Sequence, residues 1–100
     1  MATHIVFFNF TQQGIERITE SPKRVQEARE IVQSFGGTVK DFYAVMGNAA
    51  CDTMFIVEAP DDDAIARAVL RIAQDGNVRT TTMRAFNEEE FKRITSGLAS

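Results

Sequence analysis

Tryptophan is absent from this chain, and cysteine, histidine and tyrosine occur once each. A single cysteine, Cys51, excludes a disulfide within the chain. With His4 as the sole histidine, a structural zinc site built from one chain has no ligand set, and no metal is expected. No apolar stretch approaches the roughly 18 residues that a membrane-spanning helix needs. The N-terminus is not a basic segment leading into an apolar run. A cytoplasmic protein with no membrane partner is therefore expected. Positive charge is not in excess either. Eleven Lys and Arg residues against fourteen Asp and Glu leave a net charge of −3. An acidic chain repels phosphate backbones unless its cations cluster. Lys23, Arg24 and Arg29 are interleaved with Glu20, Glu27 and Glu30, the pattern of a solvated helix face. The glycines match neither the dinucleotide fingerprint nor the P-loop.

What is present is globular material of one-domain size, with 44% hydrophobic and 25% charged residues over 100 positions. Residues 1–100 are read as a single domain. Thr3 to Phe10, rich in aromatic and β-branched residues, predicts a strand. Thr11-Gln12-Gln13-Gly14 ends it, and Ile15 to Thr19 predicts a short helical turn. Ser21-Pro22 predicts a helix start, with serine as cap and proline at the first helical position. Val25, Ala28, Ile31, Val32 and Phe35 follow at helical spacing, and Gly36-Gly37 closes that helix.

Thr38 to Met46 and Cys51 to Ala59 predict a hairpin turning at Gly47-Asn48-Ala49-Ala50. Pro60 stops the second strand, and Asp61, Asp62 and Asp63 suit the N-terminus of another helix. Ile65, Ala68, Val69, Ile72 and Ala73 line one face of it, and Gly76 ends it. Val78 to Phe86 predicts a fourth strand. Asn87 with Glu90 has the pattern of a capping box, opening a short C-terminal helix with Phe91, Ile94 and Leu98 on one edge. This order predicts an α+β, ferredoxin-like βαββαβ fold. Right-handed crossovers give a four-stranded antiparallel sheet in the order 4-1-3-2, with two helices on one face.

The other face needs a cover. If Met46 opposes Cys51, then Phe42, Ala44, Met46, Cys51, Thr53, Phe55 and Val57 point toward the helices. Asp41, Tyr43, Val45, Asp52, Met54, Ile56 and Glu58 then share the open side, apolar at its middle. A solvated sheet face alternates more cleanly to polar residues. Four strands make a face on the order of 400 Å², within the about 300–600 Å² of patches that often serve as interaction sites. A homo-oligomer through the open face is expected.

Several stretches resemble the GYD domain family, small proteins of largely unassigned function. They are Asn9-Phe10-Thr11-Gln12-Gln13-Gly14-Ile15, Ser21-Pro22-Lys23-Arg24, Phe42-Tyr43, Glu58-Ala59-Pro60-Asp61-Asp62 and the run from Gly76 to Phe86. The Gly-x-Tyr-Asp motif that names the family is altered. The matching stretch, Gly47-Asn48-Ala49-Ala50-Cys51-Asp52, is two residues longer and has cysteine where tyrosine is usual. The resemblance implies a ferredoxin-like, oligomeric fold and supplies no reaction.

Candidate chemistry is sparse. His4 is weighed as an axial haem ligand against an ordinary strand histidine, and the ordinary reading is preferred, so no cofactor is expected. Cys51 has Asp52 beside it, which opposes a reactive thiolate, and is read as buried and inert. Asp41 and Asp52 are weighed as a carboxylate pair and placed at different levels of the hairpin. Arg79 and Arg84 are assigned to opposite faces of strand four, with the neighbouring threonines as potential anion ligands. RNA binding is rejected, because strand three, Cys51-Asp52-Thr53-Met54-Phe55-Ile56-Val57-Glu58, has one aromatic and acids where RNA-recognition motifs carry aromatics and a basic residue. The leading expectation is a small assembly or ligand-binding protein without its own catalysis. The alternative is an oxygenase- or isomerase-like enzyme with a pocket on the open sheet face, drawing on His4, Asn9, Tyr43, Asp52 and Arg84.

Overall fold

The computed structural model describes residues 1–99. β1 (Ala2–Phe10) leads through a short α1 (Gln12–Glu16) and a 3₁₀ turn (Ile18–Glu20) into α2 (Ser21–Ser34). β2 (Thr38–Ala44) and β3 (Thr53–Ala59) follow, then α3 (Asp62–Gln74), β4 (Val78–Ala85) and α4 (Glu88–Ser96). The strands form one antiparallel sheet in the order β2-β3-β1-β4, the expected order read from the other edge.

Alternation along the strands divides the residues between two faces. Val6 and Phe8 of β1 and Phe55, Val57 and Ala59 of β3 are buried against Ala28 and Val32 of α2 and Ile65, Ala68 and Ile72 of α3. Phe55 packs edge-to-face with Phe8 at 5.0 Å and with Phe42 at 6.0 Å between ring centroids, an arrangement that aromatic quadrupoles favour. Burial of each such large side chain contributes about 1.5–3 kcal/mol.

The hairpin has the expected register. Ala44 opposes Thr53, Tyr43 opposes Met54 and Phe42 opposes Phe55, and the Val45 amide donates to the Asp52 carbonyl at 2.9 Å. The strands themselves are shorter than predicted, one stopping at Ala44 and the other starting at Thr53, so Met46 stands clear at 91% exposure. A shift in register between Val39 and Asp41 is a bulge. Val39 and Phe42 are three positions apart, an odd spacing, yet both join the core. One extra residue, Lys40, lets both face the helices.

Helix entries differ from expectation at two places. Ser21 is not a cap: it has helical angles (φ −55°, ψ −43°), and the 3₁₀ turn runs straight into α2. Pro22 tolerates this position because the amide it lacks would have no partner in the first turn. The unpredicted cap is Thr11, whose hydroxyl accepts from the Gly14 amide at 3.1 Å and donates to the Gly76 carbonyl at 2.6 Å. The segment expected to break the strand therefore begins a helix and ties it to the α3–β4 loop. Asp61 caps α3, and Asn87 and Glu90 form the expected capping box on α4.

Candidate functional site

The register assembles an apolar surface on the face opposite α2 and α3. One row across the sheet is Tyr43–Met54–Phe7, and the next is Ile56–Ile5–Met83. Asp41, Glu58 and Arg79 share this face toward its margins. Ile5, Phe7, Met54 and Ile56 are half-buried by one another, whereas Tyr43 is 55% exposed. Among the described residues no helix packs over these rows: α2 and α3 lie on the other side, and α4 has no buried residue.

The five residues singled out from the sequence are not brought together. Asn9 and Tyr43 lie on the open face. His4 and Arg84 are paired across β1 and β4 on the helix-side face, so a pocket combining Tyr43 with Arg84 is not formed. His4 is 4% exposed with no hydrogen-bond partner at Nδ1. Arg84 is committed locally: it donates to the Thr3 and Ala85 carbonyls and to the Glu90 carboxylate, and its guanidinium stacks on Phe86 at 4.5 Å. Asp52 is exposed and structural, one carboxylate oxygen accepting from the Phe10 amide at 2.8 Å. Cys51 is buried, as expected. Arg79 and Arg84 do occupy opposite faces, which separates Arg79 and Thr81 from Thr80 and Thr82.

A second surface has no counterpart in the sequence reading. A groove of about 530 Å³ opens where the start of α2 meets the hairpin end, on the helix side. Ile18, Val25, Phe42 and Met46 line it, with Arg29 and Asp52 also on its wall. The only signal for it in the sequence is the run of apolar residues before Gly47, which alternation assigns to a strand. A smaller cleft of about 60 Å³ lies deeper beneath α2, between Phe8, Phe55 and Ile72.

α4 is a third feature. It is held to the body by the Arg84–Glu90 ion pair at 3.1 Å. Phe91, Ile94 and Leu98 are 61%, 41% and 82% exposed.

The sheet order, the two helices on one face and the uncovered opposite face define a ferredoxin-like α+β protein. The GYD domain model matches residues 4–95, and the chain belongs to that family. A Thermus thermophilus protein named glutamine synthetase and cystathionine beta-lyase binding protein is 38% identical over 86 residues, covering 85% of this chain and 88% of that protein. A crystal structure of a Thermus thermophilus protein superposes with a TM-score of 0.55 at 25% identity, over 87% of this chain and 95% of the other. A Mycobacterium tuberculosis feast or famine regulatory protein, solved with L-methionine, gives a TM-score of 0.62 at 20% identity. The match covers 87% of this chain but about half (51%) of the regulator, and the likeness is one of fold.

Proposed function

We propose that this chain is a small non-catalytic binding protein that associates with itself through the open sheet face and docks onto metabolic enzymes. The observation that carries the reading is the likeness, over most of both chains, to a Thermus protein named for binding glutamine synthetase and cystathionine β-lyase. The contiguous surface of Phe7, Ile5, Met54, Ile56 and Tyr43 supports it, because uncovered apolar patches of this kind mark interaction sites. Asn9 and Tyr43 are then contact residues.

The test is direct binding. Immobilised chain is titrated with purified glutamine synthetase and, separately, with cystathionine β-lyase, both from the chain's own source. Saturable binding of at least one is expected. Failure of both to bind well above micromolar concentration removes the enzyme-docking reading and leaves self-association to be measured separately.

A further inference from the structure

We propose that α4 and the turn that follows it are an exchanged arm: Phe91 and Ile94 of the helix and Leu98 just past its end insert into the groove between α2 and the hairpin end of a second copy of this chain. The spacing i, i+3, i+7 is that of amphipathic helices that bind in apolar grooves. The anchors are exposed on their own subunit, and the groove of about 530 Å³ presents Ile18, Val25, Phe42 and Met46 to receive them.

The topology requires a second copy. Ala85 opposes Thr3 at one end of the sheet, and Val78 opposes Phe10 at the other. Phe10 and Ala44 lie at the groove. The seven steps from Ala85 back to Val78 span about 23 Å along the strand. From Ala85 the chain reaches Phe91 through three extended steps and three helical ones, at most about 15 Å. Phe91 therefore cannot enter its own groove. Charge favours the contact at the Arg29 side of the groove, so the acidic first turn of α4 has to lie there and away from Asp52 on the same wall. Arg29 on the groove wall and Glu88 on α4 have no ion-pair partner among the described residues, and Glu88 flanks the Phe91 edge of its helix. One insertion buries less than the roughly 1,200 Å² of a standard interface. A reciprocal exchange about a two-fold axis doubles the contact and leaves no unfilled groove to propagate a chain.

This inference uses a different surface from the sheet-face association, and the experiment separates the two. Sedimentation equilibrium is run on the full chain, on the double variant Phe91→Asp/Ile94→Asp, on Ala44→Glu in the groove, and on Tyr43→Lys on the open face. All four positions are solvent-exposed, and circular dichroism confirms that each variant folds. If α4 is exchanged, the arm variant and the groove variant each weaken self-association by about 30-fold or more, the loss expected for a hot spot. Mixing the arm variant with the groove variant then gives association stronger than either variant alone and weaker than wild type, because one of the two arm–groove contacts is intact in the mixed pair. Wild-type association in both the arm and the groove variants overturns the proposal, as does a monomeric wild type. If Tyr43→Lys alone dissociates the protein, the sheet-face contact stands and the arm exchange falls.

Discussion

At the scale of single residues, burial and close approach separate positions that look alike in the sequence. Phe55 is one of eight phenylalanines, but it is buried and meets two other rings edge-on. Phe55→Ala is expected to cost about 3–5 kcal/mol through lost burial and a residual cavity, read from a urea melt. The glycines divide in the same way. A Cβ on Gly14 would collide with the Asn77 carbonyl oxygen, which is backbone and cannot step aside. Gly47 has φ +80° but open space around it. Gly14→Ala is therefore expected to destabilise by about 2–4 kcal/mol, and Gly47→Ala by about 1 kcal/mol from backbone strain alone. Equal losses at the two sites would show that the α1 contact with Asn77 carries no stability. The cost at Gly14 was not legible in the sequence, because Asn77 is far away along the chain and meets Gly14 only after the crossover through α3.

At the scale of elements, the N-terminal caps of α3 and α4 make opposite predictions. Asp61 accepts from the Ala64 amide at 2.8 Å at the start of α3, which is packed on the sheet. Asp61→Ala is expected to lower global stability by about 1 kcal/mol. The capping box of Asn87 and Glu90 belongs to α4, which has no buried residue. Asn87→Ala should accelerate amide exchange along α4 and leave the global melt unchanged in the unassociated chain. Glu90 also brings a pH dependence. Its carboxylate accepts the Asn87 amide and then the Arg84 guanidinium, and these hold its pKa below the ordinary glutamate value. A depressed carboxylate pKa means that the tether is fully present above the ordinary glutamate range and is lost as pH falls through the lower folded value. α4 should therefore loosen in acid below that range, and Glu90→Gln should weaken the acid-sensitive part of its exchange protection. Loss of α4 protection at neutral pH, where the carboxylate is charged, would contradict this. The Asn87–Glu90 box was legible as a local pattern; the acidic start of α3 was legible as charge at a helix N-terminus, and the structure makes Asp61 its cap. The status of Ser21 was not, because a serine before proline looks the same whether it caps the helix or continues a 3₁₀ turn.

At the scale of the molecule, the chain is extended. Its radius of gyration is 14.9 Å, with extents of 54 × 31 × 18 Å, against about 13 Å for a compact domain of this length. The excess fits a structure with one sheet face uncovered and a terminal helix unpacked. Tyr43→Lys places a charge in the apolar rows without disturbing the core. It is expected to reduce sheet-face self-association by about tenfold or more, as removal of an interface aromatic does, with the melt of the separated chain unchanged. An unaltered association constant would show that the open face stays in water. The apolar character of both sheet faces was legible, since Ile5, Val6, Phe7, Phe8 and Phe10 place apolar groups on each. The division of the singled-out residues was not. It depends on the pairing of His4 with Arg84, which joins opposite ends of the chain.

Periodicity, caps and turn glycines by themselves determined the elements, their order and the hairpin register, because each rests on contacts within a few residues or on a two-residue alternation. Only the tertiary structure decided which face each chemical group occupies and what it meets there. The bulge at Lys40, the enclosure of His4, the clasp of Arg84 on Glu90 and the groove at the hairpin end all arise where separate elements close on one another. Those contacts depend on distances that no local pattern encodes.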